Sequence, residues 1–223
     1  MIPQIKEYEA VIFDMDGVLI DSEPLWKIAM ENVFREVGCN LTKKDFQKTV
    51  GLRIDEVIAY WFSVAPWENY SVKQVEDKIV LQMVELISKN GHPLPGVIET
   101  LVLLKKKGLK VGLATSSYTL LIDTVLAVLG IRDYFDFVHS AENEDHGKPH
   151  PAVYLTVAKK LNVSPLSCLV IEDSFTGLIS ALSARMKVVV VPEKTHEPNE
   201  KLKVAHFHYD TLLDFHRDIK LQS

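Results

Sequence analysis

The chain has 223 residues, 47% of them hydrophobic and 25% charged, which is the profile of a folded globular protein with room for a core domain and a smaller one. Its formal charge of −5 argues against the bulk attraction to nucleic acid or anionic membrane that an excess of Lys and Arg supplies, and no apolar run reaches the length of a bilayer span. Cys39 and Cys168 stand far apart and suggest neither a disulfide framework nor a zinc site; with no secretory pattern in MIPQIKEYEAVIF, the expected compartment is the cytoplasm.

Taken in chain order, AVIFD at 10–14 reads as a first strand, short, apolar and β-branched. From 22 to 91 no strand pattern appears and helical periodicity takes over. Pro24 suits a first helical turn, and Leu25, Ile28, Ala29, Asn32 and Val33 trace one face of the helix that follows. Val72, Val75, Ile79, Met83, Leu86 and Ile87 trace a longer helix. HPLPGV at 92–97 is a stiff connection that ends this helical region. Beyond it strands and amphipathic helices alternate. GVIETLVLLKKKG is a helix with Gly108 as its stop, KVGLA at 110–114 a strand and 118–129 a helix. FDFVHS at 135–140 is a weaker strand, 151–161 a helix, CLVIE at 168–172 a strand, 175–184 a helix and KVVVV at 187–191 a strand. HFHY at 206–209 suits an edge strand. The pattern predicts an α/β fold, a doubly wound parallel sheet covered on both faces, built from residues 1–21 and 92–223, with an all-helical insertion over 22–91.

Ligands of such sheets gather beyond the carboxyl ends of the strands, and four polar clusters fall there. Asp14-Met15-Asp16-Gly17 follows the first strand; residues two apart in extended backbone point the same way, so both carboxylates address one place. Carboxylates held close repel and call for a cation, and Mg2+ prefers oxygen ligands, but taken alone the pair reads equally well as a solvated turn. Thr115-Ser116-Ser117 offers hydroxyls and amides to an anion, or simply an N-cap. Lys148, between Gly147 and Pro149, suits a fixed phosphate-binding charge or a loop lysine. Glu172-Asp173 ends a buried strand, where unpaired carboxylates cost several kcal/mol, so a shared cation is favoured. His146 and His150 are separated by prolines that oppose a helical metal pair.

In this order the motifs DMDGVLIDSEP, LATSS, GKPHP and IEDS resemble the haloacid dehalogenase superfamily, over residues 14–174. The helical insertion lies where the β-phosphoglucomutase-like branch carries a cap, and DSEPLW, GLRID, PW at 66–67, LPGV and ARMKVVVVP are similar to its bacterial 2-deoxyglucose-6-phosphatase or hexitol phosphatase type.

The resemblance implies a Rossmann-like core and a Mg2+-dependent phosphatase acting on a small phosphorylated hexose or polyol, such as 2-deoxyglucose 6-phosphate. Asp14 would be the nucleophile and Asp16 the general acid and base. Thr115, Ser116 and Lys148 would hold the phosphoryl group. Mg2+ would be held by Asp14, the Asp16 carbonyl and Asp173, with Glu172 acting through a water. Arg53 matches a cap arginine that contacts phosphate in the mutase branch, although a surface arginine beside Asp55 and Glu56 fits as well. Glu23 and Trp26 open the cap beside the catalytic loop, where either can touch a sugar; Trp61 and Trp67 read as packing residues. The same implication carries two alternatives, a β-phosphoglucomutase-type transfer and a non-catalytic phospho-ligand sensor. A monomer is expected, with no nucleic-acid or membrane partner.

Overall fold

The computed structural model describes residues 2–49, 52–192 and 200–222. The short apolar runs form the strands: β1 (Ala10–Phe13), β2 (Lys110–Thr115), β3 (Phe137–Ser140), β4 (Cys168–Glu172), β5 (Lys187–Val190) and β6 (Phe207–His208). They make one six-stranded parallel sheet in the order β3-β2-β1-β4-β5-β6. All four residues of β1 are 0% exposed, as a central strand covered on both faces demands. The chain winds from β1 out through β2 to β3, then returns to place β4 on the other side of β1. That reversal puts a crevice beyond the carboxyl ends of β2, β1 and β4.

Between positions 22 and 91 the described residues hold α1 (Glu23–Glu36), α2 (Lys43–Phe46), α3 (Ile54–Val64) and α4 (Val72–Asn90), and no strand. Gly51 of the GLRID run lies outside the described residues. The chain leaves the sheet and returns to it side by side, since Ile20 bridges antiparallel to Pro93 and the Leu94 amide donates to the Leu19 carbonyl at 3.0 Å. Helix α4 starts from a capping box in which Ser71 Oγ accepts from the Gln74 amide and Gln74 reaches back to the Ser71 amide. Val75, Ile79, Met83 and Ile87 form its buried face as the periodicity predicts. For α1 the expected stripe needs correction. Leu25, Ala29, Val33 and Phe34 are buried, whereas Ile28 and Asn32 face outward, because α1 packs on α4 along a narrower seam than the spacing suggested.

Five more helices are described, α5 (Val97–Lys106), α6 (Thr119–Leu129), α7 (Ala152–Leu161), α8 (Phe175–Ser183) and α9 (Leu212–Lys220). Alternation along β1 sorts them. Val11 and Phe13 face a layer that includes Leu101, Leu104, Ile122, Val125, Phe215 and Ile219, from α5, α6 and α9. Ala10 and Ile12 face Val153, Val157, Leu178 and Ala181, from α7 and α8. Helix α9 is an addition to the expected elements. Thr211 Oγ1 caps it by accepting from the Asp214 amide at 3.2 Å, and Leu212, Phe215 and Ile219 carry it onto the sheet.

Candidate active site

Beyond Phe13 the Asp14 amide still donates to the Ile171 carbonyl at 2.9 Å, which carries Asp14 onto the carboxyl edge of the sheet beside the end of β4. The chain then turns, with the Leu19 amide on the Met15 carbonyl at 2.8 Å. Gly17 makes the turn at φ +70°, and a Cβ there would lie 2.2 Å from Asp173 Oδ2. Only glycine lets this backbone run so close to the second acidic loop.

Lys148 lies at the centre. It is 6% exposed, its Nζ donates to Glu172 Oε1 at 2.7 Å, and it stands 2.9 Å from Asp14 Oδ1. That second contact is a buried ion pair, and no described residue other than Lys148 donates to Asp14 Oδ1. Burial pushes the Asp14 carboxyl up to about 7, opposed by the Lys148 charge and assisted by Glu172 and Asp16. Burial works against the Lys148 ammonium too, yet Asp14 and Glu172 together hold it charged above the usual lysine range. For Glu172, burial is outweighed by Lys148 and by hydrogen bonds, which hold it below the usual carboxylate range.

Glu172 is fully buried at the end of β4 and satisfied on both oxygens. Oε1 accepts from Lys148 and from Tyr154 Oη, each at 2.7 Å; Oε2 accepts from the Asp173 amide at 3.1 Å, the Ser174 amide at 3.2 Å and Ser174 Oγ at 3.0 Å. Asp14, Glu172 and Asp173 each place a carboxylate oxygen within 4.8 Å of the others. These residues fit a hard divalent cation: three acids converge, and the Lys148 ammonium that pairs with Asp14 and Glu172 neutralises only part of their charge.

Asp16 is held by three elements. Its Oδ1 accepts from Ser22 Oγ at 2.5 Å and from Trp26 Nε1, on α1, at 3.2 Å; its Oδ2 accepts from Ser117 Oγ, beyond β2, at 2.6 Å. The Asp-x-Asp pair therefore divides. Asp14 joins the acidic cluster, while the Asp16 side chain points into a ring of neutral donors.

Thr115 ends β2, 1% exposed, and its Oγ1 accepts from the Ser117 amide at 3.1 Å. Ser116 is the next residue and is half-buried. The first amide of α6 serves no anion from outside, because Thr119 N and Oγ1 both donate to Glu142 Oε2, at 2.7 and 2.9 Å. Arg53 reaches from the helical insertion to the core. Its Nε and Nη2 grip Asp55 at 3.1 and 2.7 Å, its Nη1 donates to the Ala141 carbonyl at 3.2 Å, and its stem lies against Gly147, next to Lys148. Glu23 is half-buried at the start of α1. Trp61 and Trp67 are buried, Trp67 against Phe34 and Phe62. His146 and His150 meet ring edge to face and stand apart from the acidic cluster.

The sequence profile of the haloacid dehalogenase-like hydrolases matches residues 11–191, a span that includes every residue of this cluster. The chain belongs to that family. Among relatives of this haloacid dehalogenase-like hydrolase, hexitol phosphatase B of Escherichia coli O157:H7 is 39% identical over 210 residues, 94% of this chain and 95% of that protein. The phosphorylated carbohydrates phosphatase of Thermotoga maritima is 36% identical over 180 residues, 79% of this chain and 81% of that protein. A β-phosphoglucomutase from Clostridium difficile has a similar solved structure, with a TM-score of 0.80 at 30% identity, covering 93% of this chain and 92% of that one. The haloacid dehalogenase-like chain is an enzyme, a phosphatase of the phosphoric monoester hydrolase class. No helix among its described residues is long and apolar enough to cross a membrane.

The structure thus gathers Asp14, Lys148 and Glu172, all buried, with half-buried Asp173 into one cluster, while Asp16 is tied to the loop after Thr115 through Ser117. The sequence reading did not assign Ser22 or Tyr154, and it offered the Ser117 hydroxyl to an anion or an N-cap, whereas that hydroxyl donates to Asp16. A signal for Tyr154 was available, since a tyrosine on the apolar face of a buried helix needs a partner for its hydroxyl.

Proposed function

We propose that this chain is a Mg2+-dependent phosphatase of small phosphorylated hexoses or hexitols, working through an aspartyl-phosphate on Asp14. One observation carries the reading. A buried ammonium, Lys148, stands 2.9 Å from Asp14 Oδ1 and 2.7 Å from Glu172 Oε1, at the centre of a cluster of three acids. That arrangement is suited to a phosphoryl group with its counter-cation. The likeness to the hexitol and carbohydrate phosphatases supports the substrate class.

In the first displacement an Asp14 oxygen bonds to phosphorus as the bond from phosphorus to the sugar oxygen breaks, and Asp16 gives that oxygen its proton. In the second, water attacks the same phosphorus, Asp16 takes the water's proton, and Asp14 is released with inorganic phosphate. Lys148, Thr115 and the Ser116 amide hold the non-transferring oxygens through both steps. Ser22, Trp26 and Ser117 donate to Asp16 and keep its side chain apart from the acidic cluster, which supports a separate role for it in proton transfer. Mg2+ would be held by the Asp14 and Asp173 carboxylates and the Asp16 carbonyl, with Glu172 at one remove, and it supplies charge neutralisation where phosphate meets carboxylate. Residues 22–91 act as a cap over the crevice, with Trp26 and Arg53 reaching the core and Glu23 at the start of α1; Arg53, gripped by Asp55, steadies the Lys148 loop from the cap.

A second reading, transfer to a sugar hydroxyl instead of water, rests on the likeness to the mutase. A phosphate-release screen over sugar, polyol and nucleotide phosphates with Mg2+ separates the two. The proposal expects steady release from hexose or hexitol 6-phosphates without a bisphosphate primer, stopped by chelation. Conversion of β-glucose 1-phosphate to the 6-phosphate without net release would overturn it.

A further inference from the structure

Tyr154 is a side chain that the mechanism above does not use, and its surroundings are unusual for a core residue. It is 0% exposed on α7, six positions after Lys148, and among the largest fully buried side chains. Its hydroxyl donates at 2.7 Å to the Glu172 oxygen that also receives Lys148, and the Lys148 ammonium stands 4.9 Å from its ring centroid. We infer that Tyr154 is a positioning residue for the phosphoryl-binding cation: ring and hydroxyl together fix where Lys148 stands.

The geometry explains how. A carboxylate offers about four lone-pair sites, and Glu172 receives five donors, so it has no capacity left for another orientation. Three of those donors belong to Asp173 and Ser174 and hold Oε2 in the loop. Among the described residues Tyr154 and Lys148 alone donate to Oε1, so the hydroxyl determines the direction from which the ammonium approaches. Space is closed as well. A Cβ on Gly177 would lie 1.7 Å from Oε1, so the carboxylate is walled in from α8. Without the hydroxyl, Oε1 keeps one donor in a dry pocket, and Lys148 moves toward Glu172 and away from the place a phosphoryl oxygen takes. Its ring supplies a cation–π contact on the remaining side, which a phenylalanine would keep.

The inference rests on Lys148 binding the phosphoryl group, and Tyr154→Phe tests it with the whole chain. Four quantities are read after circular dichroism shows the variant folded: the affinity for Mg2+ alone, the affinity for inorganic phosphate in saturating Mg2+, and kcat and KM for an aryl phosphate. A positioning role predicts Mg2+ affinity within about twofold of wild type, with phosphate affinity and kcat each about tenfold lower, the size typical of outer-layer hydrogen bonds in such sites. Unchanged phosphate affinity and kcat would overturn it. So would a loss of Mg2+ affinity as large as the loss of phosphate affinity, since Tyr154 would then act on the acidic cluster. A wild-type protein that binds phosphate without turnover would sink the phosphatase reading and leave the Tyr154 arm readable. A wild type that binds no phosphate would overturn both.

Discussion

Ser117 and Asp16, 101 positions apart in sequence, are joined by a 2.6 Å hydrogen bond across the carboxyl edge of the sheet. The bond ties the loop that follows β1 to the loop that follows β2. Ser140 steadies the arrangement from β3, its hydroxyl donating to the Ser117 carbonyl at 2.6 Å.

Ser117→Ala is therefore expected to lower kcat by about tenfold or more, the scale of a hydrogen bond to a charged group. KM should change little, because Ser117 touches Asp16 rather than the phosphoryl oxygens. Trp26→Phe removes the indole donor and should act in the same direction. Initial rates on a hexitol phosphate check both. Wild-type kcat in the two variants would show that Asp16 needs neither donor.

Asp14 gives the pH dependence. In the metal-free site burial raises its carboxyl to about 7, against an ordinary 3.8. A proton is thus bound in the native state where the unfolded chain has released it. The contribution of this group to stability is fully present below 3.8, falls as pH rises toward about 7, and is flat beyond. Mg2+ must displace that proton, so its affinity should rise about tenfold per pH unit below about 7 and level off above. Calorimetric titrations across this range check the slope; affinity independent of pH below neutrality would contradict it.

Gly177→Ala reverses the usual helical preference. Alanine ordinarily stabilises a helix interior by up to about 1 kcal/mol over glycine. Here the added Cβ would stand 1.7 Å from Glu172 Oε1 and 2.0 Å from its carboxyl carbon, so α8 or Glu172 must move. A loss of about 2 kcal/mol or more is expected in denaturant unfolding, with a lower kcat as Glu172 releases Lys148. Equal or greater stability would mean that the site relaxes freely.

Much of this was legible in the chain. Strands buried on both faces announce themselves as unbroken β-branched runs, and polar residues at their ends mark the crevice where Asp14, Lys148, Glu172 and Asp173 stand, although it took the family resemblance to single them out as one set. Other features were not legible. Ser22, Trp26 and Ser117 meet on Asp16 only because the helical insertion and β2 converge there, and no local pattern encodes that meeting. Arg53 reads as a phosphate ligand or a surface residue in sequence, yet its guanidinium lies between Asp55 and the Ala141 carbonyl. Helix α9 escaped because its apolar positions Leu212, Phe215 and Ile219 sit among charged residues; Thr211 and Asp214 were its start signal.

Covalent capture at Asp14 tests the central claim most directly. Enzyme turning over a phosphorus-labelled hexitol phosphate with Mg2+ is quenched in acid, digested and mapped. The account predicts transient label on Asp14, none when the metal is chelated, and neither label nor more than about a thousandth of the turnover in Asp14→Asn. Steady phosphate release with no protein-bound label, or an active Asp14→Asn variant, would contradict it.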